Sequence, residues 1–189
     1  MGMDDLNIIE FCLLGDVNQF SKLVNKYKNM VYNLCFRMCH NHNEAEDLTQ
    51  DSFLRAFQNL ESFDPNHQFS TWLYQVTLNL VRDHFKKRKI KSYSLDQNDR
   101  RQLDSYSKIP ANSSNNPENS FKEKENLRQI EQSVASLPIS YREVIVLRHF
   151  QGLSYHEIAM ILKLPLSTVK GRLYHARQQL QEKLCDLLL

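Results

Sequence analysis

Basic side chains collect near the C-terminus, where they could bind phosphate groups. Between residues 170 and 183, Lys170, Arg172, Arg177 and Lys183 are accompanied by a single acid, Glu182. Clustered arginine and lysine side chains neutralise the phosphates of nucleic acids and release their counterions, which supplies much of the affinity of such complexes. The cluster therefore indicates a phosphate-contacting surface, provided that a regular element places these charges on one side.

Two short helices joined by a tight turn would provide that element. Ser154 and Glu157 have the spacing of a capping box, which predicts a helix that begins there. Leu164-Pro165 ends this helix, because the residue before a proline is disfavoured in the helical region. Ser167 fits the N-cap of a second helix. Its inward apolar stripe consists of Val169, Leu173, Ala176 and Leu180. This pattern is typical of a helix-turn-helix unit.

The outer face of the second helix carries its polar residues. At about 100° per residue this face presents Gly171, Tyr174, His175 and Gln178, with Lys170 and Arg177 on its flanks. A glycine in the middle of a helix costs about 1 kcal/mol relative to alanine. Close approach to the wall of a DNA major groove would offset that cost. An amphipathic hairpin that packs on another protein is the alternative, and the basic charge favours DNA.

The N-terminal half begins with helices of opposite charge. Asp16 to Gln19 resembles a capping box and predicts a long first helix with a basic outer face. Asn43 is the expected N-cap of the next helix, whose first turns carry acidic residues. These acids are Glu44, Glu46, Asp47 and Asp51. They fit either a solvated helix start or a docking face for a basic protein, and the spacing alone favours the solvated face.

A third helix, from Ser70 as its cap to about Lys89, reverses the charge again. Its inward residues are Leu73, Val76, Thr77 and Leu80, and the opposite arc carries Gln75, Asn79, Arg82 and Lys86. Trp72 stands at the edge of that arc. A tryptophan beside basic groups could stack on an unpaired base. It could equally close the core of a small bundle.

The remaining pattern divides the chain into two all-α modules. Residues 92–116 are polar and rich in Ser, Asn and Asp, which predicts a flexible linker. Pro117 fits the first position of a helix with an inward stripe, and Pro138 ends that helix. The stripe is Leu127, Ile130, Val134 and Leu137. Ser140 and Glu143 predict a further capping box, opening a helix with Val144, Leu147 and Phe150 inside. We therefore expect a helical bundle at 1–90, a linker at 91–116 and a four-helix module at 117–189.

Composition excludes several other classes. The 189 residues are 41% apolar and 24% charged, and the net charge is +2. The chain has no apolar run long enough for a membrane span, and its acidic N-terminus does not fit a signal peptide, so we expect a cytoplasmic protein. The spacing of Cys35, Cys39, His40 and His42 fits no standard zinc site, so we expect reduced thiols and no metal. None of the four glycines forms a phosphate loop, and no nucleophile and base are paired, which argues against an enzyme.

Four stretches of the chain carry the motifs of a known family, in the order of that family. They read DLTQDSF at 47–53; FSTWL at 69–73 with Asn79 and Asp83; LP at 137–138 with Arg142, Val144, Leu147, Arg148, GLSY at 152–155 and EIA at 157–159; and STVKGRL at 167–173 with Ala176 and Arg177. They resemble regions 2.2, 2.3 with 2.4, 4.1 and 4.2 of a bacterial RNA polymerase sigma factor. The resemblance is to the extracytoplasmic-function group, whose members have only regions 2 and 4.

The resemblance implies partners and site residues. It implies core RNA polymerase, held through the beta-prime clamp and the beta flap, promoter DNA, and an anti-sigma factor, with no small-molecule substrate or cofactor. The implied core-docking residues are Asp47, Gln50, Asp51, Phe53 and Leu54. The implied minus-10 residues are Phe63, Asn66, Phe69, Trp72, Asn79, Arg82, Lys86 and Lys87. The implied minus-35 residues are Ser167, Thr168, Lys170, Gly171, Arg172, Tyr174, His175 and Arg177.

Two points remain open on the sequence. Lys86, Gly171 and His175 stand where the family often has arginine, serine and arginine, which affects the promoter sequence rather than the class. The competing hypothesis is a stand-alone helix-turn-helix regulator whose N-terminal bundle senses a ligand or dimerises. It accounts for the residues 152–180, but not for the acidic helix, aromatic loop and basic tail that precede them.

Overall fold

A computed structural model describes residues 3–95 and 128–188, with side chains in 5–88 and 128–184. The N-terminal bundle contains α1 (Met3–Leu13), α2 (Phe20–Cys39), α3 (His42–Gln58) and α4 (Phe69–Leu95). The C-terminal module contains α5, described over 128–135, then α6 (Ile139–Ile145), α7 (Tyr155–Leu162) and α8 (Leu166–Leu188). These described ranges contain helices and no strand, so the all-α class is confirmed.

The N-terminal bundle is built on the apolar faces of α2, α3 and α4. Leu23, Leu34, Met38, Leu73 and Phe69 are among its largest fully buried side chains. Burial of such side chains supplies the main driving force for packing the helices. In the same core Cys35 packs as a small apolar residue, and burial raises the pKa of its thiol to about 12.

A buried carboxylate fastens α1 to this core. Asp5, which is 2% exposed, accepts hydrogen bonds from Lys26 Nζ at 2.6 Å and from the Tyr27 hydroxyl at 2.5 Å. Burial, followed by the hydrogen bond to Asp5, raises the pKa of Tyr27 to about 12. A buried charge needs such partners to offset its lost hydration.

Several helix starts in the N-terminal bundle differ from the sequence expectation by a few residues. Asn41, rather than Asn43, caps α3 and accepts a hydrogen bond from the Glu44 amide. The Asp16 side chain accepts from the Gln19 side chain and caps no backbone, because a 3-10 turn precedes α2. Helix α4 begins at Phe69, before Ser70. Competing side-chain partners decide such boundaries, which sequence patterns locate only approximately.

The predicted helix-turn-helix geometry is present in the C-terminal module. Ser154 and Glu157 form both bonds of the capping box at the start of α7. The chain then turns at Lys163, which has φ 53°, and α8 begins at Leu166, so Ser167 lies in its first turn rather than at its cap. The apolar stripe of α8 is packed as expected, with Val169, Leu173 and Ala176 almost fully buried and Leu180 partly buried.

The helix α6 departs from prediction at both ends. Pro138 is its N-cap, and Glu143 makes no capping box with Ser140 because its carboxylate is bound elsewhere. After Ile145 the helix widens into a π-helical turn, Val146–Phe150. The wider turn rotates the last residues, and Phe150 is 37% exposed instead of inside.

The N-terminal bundle and the C-terminal module pack directly against each other. Arg142 of α6 donates to the carbonyl oxygens of Met38, near the end of α2, of Ala135, at the end of α5, and of Leu137, just after α5. Its guanidinium also lies 5.4 Å from the centre of the Phe85 ring, and burial lowers its pKa. The last carbonyls of a helix lack partners within it, so one arginine here joins two helix ends.

Sequence patterns did not predict this interface, because its contacts connect residues far apart in the chain. The predicted linker begins within α4, which continues to Leu95; the rest of the linker, together with the predicted helix start at Pro117, lies outside the described residues. Among the described residues, no helix combines the length and apolar content needed to cross a bilayer.

Candidate nucleic-acid interface

The outer face of α8 is open. Lys170, Tyr174, His175 and Arg177 are exposed, and 61% of Tyr174 is accessible. The Tyr174 hydroxyl accepts a hydrogen bond from Gln178 Nε2 at 3.1 Å. These groups can donate, accept and stack, which is the repertoire for reading base edges in a major groove. The structure therefore leaves these four of the predicted minus-35 residues exposed to solvent.

Aromatic contacts orient this face before any ligand arrives. The His175 ring stacks on Tyr141 of α6 at 6.4 Å between centroids, and it meets the edge of Tyr174 at 5.4 Å. Ser167 is exposed, whereas Thr168, Gly171 and Arg172 are half-buried along the sides of α8. Side chains that are already fixed by such ring contacts lose less conformational entropy when a ligand binds.

The turn before α7 helps to fix the position of α8, the second helix of the helix-turn-helix unit. Gly152 has φ 71°, a conformation that side chains rarely adopt. Arg148 donates to the Leu153 carbonyl at 2.9 Å and lies 5.0 Å from the Tyr155 ring centre. Arg148 thus ties the π-helical turn to the start of α7, against which α8 packs.

Packing within the chain does not require glycine at position 171. A Cβ atom added to Gly171 would meet no other atom within 4 Å. The intrinsic cost of glycine in a helix is therefore not repaid by any contact within the described residues. That the space at Gly171 serves a bound partner stays a prediction.

An apolar groove lies beside α8. Its volume is about 560 Å³. It is lined by Ile130, Val134, Ile145, His149, Phe150, Arg177, Leu180, Gln181 and Leu184. Arg177 Nη2 and His149 Nε2 are 3.5 Å apart at its rim. Burial, then the charges of Arg177 and Arg148, lower the pKa of His149, which keeps its ring neutral near pH 7.

A second exposed face follows one side of α3. Asp47, Gln50, Asp51 and Leu54 are all exposed, and 57% of Leu54 is accessible. Phe53 does not belong to this face: it is 7% exposed and lies in the core of the N-terminal bundle, so its predicted docking role is withdrawn. The helical period explains the error, because residue 53 falls on the same side as buried Ala45, Leu48, Ser52 and Ala56.

The aromatic residues assigned to the minus-10 element form a cluster. Phe63 and Phe69 are 7% and 0% exposed, so neither offers a ring face in this state and the prediction that they contact DNA is corrected. Trp72 is half-buried and lies 5.6 Å from each of them, centroid to centroid. The structure thus gives Trp72 a packing role, and leaves part of its ring open.

The loop before α4 is ordered by one carboxylate. Asp64 accepts hydrogen bonds from the Asn66 amide and side chain, both at 2.9 Å, and from His67 at 3.0 Å. These bonds, led by the Asn66 amide, lower the pKa of Asp64. Asn66 is exposed on this loop.

The basic residues of α4 differ in their partners. Asn79, Lys86 and Lys87 are exposed. Arg82, by contrast, is engaged by Glu143 of α6, with Nε to Oε1 at 2.6 Å and Nη2 to Oε2 at 2.9 Å. A half-buried arginine with a bidentate carboxylate partner is not available to a phosphate.

Sequence reasoning missed the residues that hold the modules together. Tyr74 is 5% exposed, its hydroxyl donates to Gln151 Oε1 at 2.9 Å, and burial raises its pKa to about 12. Gln75 Nε2 donates to the Met160 carbonyl at 3.1 Å. The only available signal was Tyr74 itself, an aromatic residue outside the inward stripe assigned to its helix.

The fold and these surfaces define a two-module helical protein with a helix-turn-helix recognition unit. A family model described as Sigma-70 region 2 matches residues 23–90, and one described as Sigma-70, region 4 matches residues 127–180. The chain belongs to the sigma-70 family of RNA polymerase sigma factors, in the extracytoplasmic-function group, and directs promoter-specific transcription initiation.

Similar proteins agree with this membership. The chain is 42% identical over 175 residues to the ECF RNA polymerase sigma factor SigW of Bacillus subtilis, covering 92% of each chain. It is 32% identical over 189 residues to the ECF RNA polymerase sigma-E factor of Escherichia coli, covering 98% of this chain and 97% of that one. These findings confirm the resemblance and give no support to a stand-alone regulator.

A solved structure shares the fold. It is the sigma factor RpoE of Bartonella quintana in complex with the anti-sigma factor NepR. The TM-score is 0.68 at 23% identity, over 87% of this chain and 96% of that one. The similarity supports the all-α arrangement.

Proposed function

We propose that three surfaces divide the work of initiation. The exposed face of α3 docks on core polymerase, α4 with its preceding loop contacts the minus-10 element, and the outer face of α8 reads the minus-35 element. The observation that carries this proposal is the open outer face of α8, which presents basic, aromatic and hydrogen-bonding side chains from a helix-turn-helix unit.

The docking face combines charge with an apolar centre. Leu54 is exposed beside Asp47, Gln50 and Asp51, so a partner with basic groups around an apolar cleft would fit it. Exposed apolar residues surrounded by polar ones mark interaction sites. The beta-prime clamp is the proposed partner. For the beta flap we propose the apolar groove beside α8, because it could bury an apolar helix.

The domain boundaries follow from these roles. We propose residues 1–90 as the core-docking and minus-10 domain, 91–116 as the linker and 117–189 as the minus-35 domain. The matches at 23–90 and 127–180 support this division. An anti-sigma factor is a further proposed partner, since the similar sigma factor RpoE was solved with one.

The proposed role needs no chemistry from this chain. Among the described residues no group of His, Cys, Asp and Glu could hold a metal ion. We propose that the chain binds and positions, while nucleotide addition belongs to the polymerase. Its site of action would be the bacterial cytoplasm, where promoter DNA and polymerase are found.

Reconstitution with purified core polymerase tests this function. Adding the chain should produce transcripts with defined 5′ ends, which sequencing of the starts would reveal. The double variant Asp47→Arg/Asp51→Arg should weaken core binding, measured by fluorescence anisotropy, and abolish those starts. Charge changes on an exposed face usually alter the free energy of unfolding by within about 0.5 kcal/mol, so circular dichroism should remain normal.

A matched control separates docking from charge. Glu10 is an exposed acid of α1, and Asp16 is an exposed acid of the next turn. The double variant Glu10→Arg/Asp16→Arg makes the same charge change and should bind core normally. If the α3 variant retains wild-type affinity with intact helices, the docking assignment is wrong. Specific DNA binding by the chain alone, with no binding to core, would instead favour a stand-alone regulator.

A further inference from the structure

One stripe of α4 faces the C-terminal module of the same chain. Tyr74, Gln75, Arg82 and Phe85 each contact a residue of that module, and Leu78, between them on the stripe, is 1% exposed. Gln75 and Arg82 also belong to the arc of α4 that is proposed to meet the minus-10 element. The C-terminal module therefore stands over part of the proposed DNA-binding surface.

Glu143 holds Arg82 in the way a phosphate would. Both carboxylate oxygens are used, Oε1 by Nε at 2.6 Å and Oε2 by Nη2 at 2.9 Å. Arginine binds carboxylate and phosphate with the same two-pronged geometry, which makes the two ligands direct competitors. Arg82 Nη1 also donates to Asn79 Oδ1 at 3.2 Å, so a second residue of this arc is turned toward the pair.

Because Glu143 is buried, Arg82 cannot bind a DNA phosphate while the modules stay closed. Glu143 is 2% exposed, and its carboxylate has no charged partner but Arg82 among the described residues. If Arg82 moved to a phosphate while the modules stayed closed, a buried carboxylate would lose its counter-charge, which is strongly unfavourable. Arg82 can therefore leave only when α6 separates from α4 and Glu143 reaches water.

Two other surfaces remain open in the closed state. The α3 face with Asp47, Asp51 and Leu54 is exposed, and so are Tyr174 and Arg177 on α8. Among the proposed minus-10 residues, closing the modules thus occupies Arg82, while Asn79, Lys86 and Lys87 stay exposed. Docking on polymerase, which the closed state permits, can precede strand capture.

We propose that Glu143 is an intramolecular substitute for a DNA phosphate, which keeps the free chain closed by occupying Arg82 until the modules separate. This proposal rests on the minus-10 role proposed above for α4. Its consequence is that the free chain binds single-stranded DNA weakly because its competent form is rare, and apparent affinity falls in proportion to that fraction.

The variant Glu143→Gln tests the proposal on the full chain. It keeps the shape of the side chain and removes the charge that holds Arg82. The probe is a fluorescein-labelled 20-nucleotide single strand of random sequence, because base stacking and phosphate contacts tolerate any sequence. If about nine-tenths of the wild-type chain is closed, the variant should bind about tenfold more tightly. Small-angle X-ray scattering should show a larger radius of gyration for the free variant.

Salt dependence adds a readout that simple loosening would not change. In the wild type, salt weakens both the phosphate contact and the competing Arg82–Glu143 pair, so the two effects partly cancel. In Glu143→Gln only the phosphate contact remains, and affinity should fall more steeply with salt. The double variant Glu143→Gln/Arg82→Ala should lose the gain in affinity.

Two further variants guard against misreading. Glu10→Gln removes the same charge from an exposed position of α1 and should leave affinity unchanged. Gln151→Ala removes the acceptor of the buried Tyr74 hydroxyl at the same interface, and should raise affinity less than Glu143→Gln. If Glu143→Gln unfolds, as circular dichroism would show, Gln151→Ala tests whether closure limits binding, and wild-type affinity in that variant would overturn the proposal.

The outcomes separate this proposal from the function on which it rests. Wild-type chain that yields no defined transcript starts with core polymerase would overturn the function. If the wild-type chain does initiate, while folded Glu143→Gln shows wild-type affinity, salt slope and radius of gyration, the phosphate-substitute role is wrong. An equal gain in Glu10→Gln would also overturn it, since net charge would then explain the effect.

Discussion

Helices α4 and α8 are both proposed to contact promoter DNA, yet the free chain covers them differently. The outer face of α8 is open, with Tyr174 61% exposed and Arg177 free of any carboxylate partner among the described residues. On α4, Arg82 is bound by Glu143, and Tyr74 is almost fully buried against the C-terminal module. One recognition surface is presented to solvent and the other is partly occupied by the chain itself.

This difference fits the two tasks. Base edges in the major groove of a duplex can be met by an exposed helix face, whereas an unpaired strand is held through phosphate and stacking contacts, one of whose candidate residues, Arg82, is occupied here. While Glu143 occupies Arg82, this arginine contributes no phosphate contact to non-specific single-strand binding. The comparison therefore separates residues that recognise from residues that must first be uncovered, and the following experiments test that separation.

The largest effect is expected when an alanine substitution on the packed side of α8 is compared with one on its exposed side. Leu173 is 1% exposed, and Leu173→Ala should reduce the free energy of unfolding by about 2–5 kcal/mol, since it leaves a cavity. Its neighbour Tyr174 is exposed, so Tyr174→Ala should change stability by less than about 0.5 kcal/mol. Urea unfolding followed by circular dichroism measures both.

DNA binding should show the reverse order. At a low temperature where both variants are folded, Tyr174→Ala should alter the base preference at one or two base pairs of the minus-35 element. Selection from a randomised duplex would measure this. Comparable stability losses in the two variants would show that Tyr174 is part of the core and that the open face of α8 has been misplaced.

The next effect concerns Trp72, which both packs and remains partly open. Trp72→Ala should cost about 1–3 kcal/mol of stability, less than the loss of a fully buried tryptophan, because the ring is half-buried against Phe63 and Phe69. If Trp72 also stacks on an extruded base, strand opening seen by permanganate footprinting should suffer more than closed-complex formation.

Trp72→Phe is the control for this prediction. A phenylalanine keeps an aromatic ring in the cluster, so stability should be largely restored, whereas strand opening should recover only in part because the smaller ring stacks less on a base. Equal losses of opening and closed-complex formation in Trp72→Ala, both repaired in Trp72→Phe, would assign Trp72 to the core alone.

Local patterns predicted the elements well wherever neighbours in sequence decide the structure. The capping box of Ser154 and Glu157 and the apolar stripe of α8 depend on residues within a few turns, and both are confirmed. The predicted box of Ser140 and Glu143 had the same spacing but was wrong, because Arg82, distant in sequence, binds the carboxylate. Spacing alone cannot show such a competitor.

The candidate site shows the same limit. Exposed α8 residues follow from helical periodicity, whereas Phe53, Phe63 and Phe69, which the family resemblance implies as contact residues, lie in the core. A motif marks positions that matter, and it does not distinguish residues that touch a partner from those that support them. Neither periodicity nor motifs could predict the closed interface, since it joins residues of the two modules that are far apart in the sequence.

A smaller effect is expected from Gly171, which should act in opposite directions on folding and binding. Gly171→Ala should stabilise the C-terminal module by up to about 1 kcal/mol, because alanine is the better helix former and its Cβ meets no atom within 4 Å. If DNA approaches the helix closely at this position, the same change should weaken duplex binding several-fold. Thermal unfolding and anisotropy on a minus-35 duplex measure the two effects.

Ala176 offers the matched comparison for Gly171. It lies on the packed side of the same helix, so Ala176→Gly should destabilise the module by about 1 kcal/mol and leave the DNA contact surface unchanged. Unchanged DNA affinity in a stabilised Gly171→Ala would contradict close approach, and the glycine would then have no assigned purpose.

The smallest effect is expected at Arg177, the open counterpart of the occupied Arg82. Arg177→Ala should leave stability nearly unchanged, weaken binding of all duplex sequences similarly, and reduce the slope of log affinity against log salt by about one, as expected for one lost phosphate contact. Salt titrations on two unrelated duplexes would measure this. Removing Arg177 should also raise the pKa of His149 toward its ordinary value.

A rise in the pKa of His149 in Arg177→Ala would confirm that Arg177 lies where the structure places it. Burial remains the larger cause of the lowered pKa, so the upward shift should be partial, as followed by the pH dependence of the imidazole signals in NMR spectra. Since the folded pKa lies below the unfolded one, His149 favours folding above its unfolded pKa and this contribution is lost as pH falls; Arg177→Ala should lessen that loss. If Arg177→Ala changed sequence preference without changing the salt slope, Arg177 would face the bases, and the orientation of α8 toward DNA would have to be rotated.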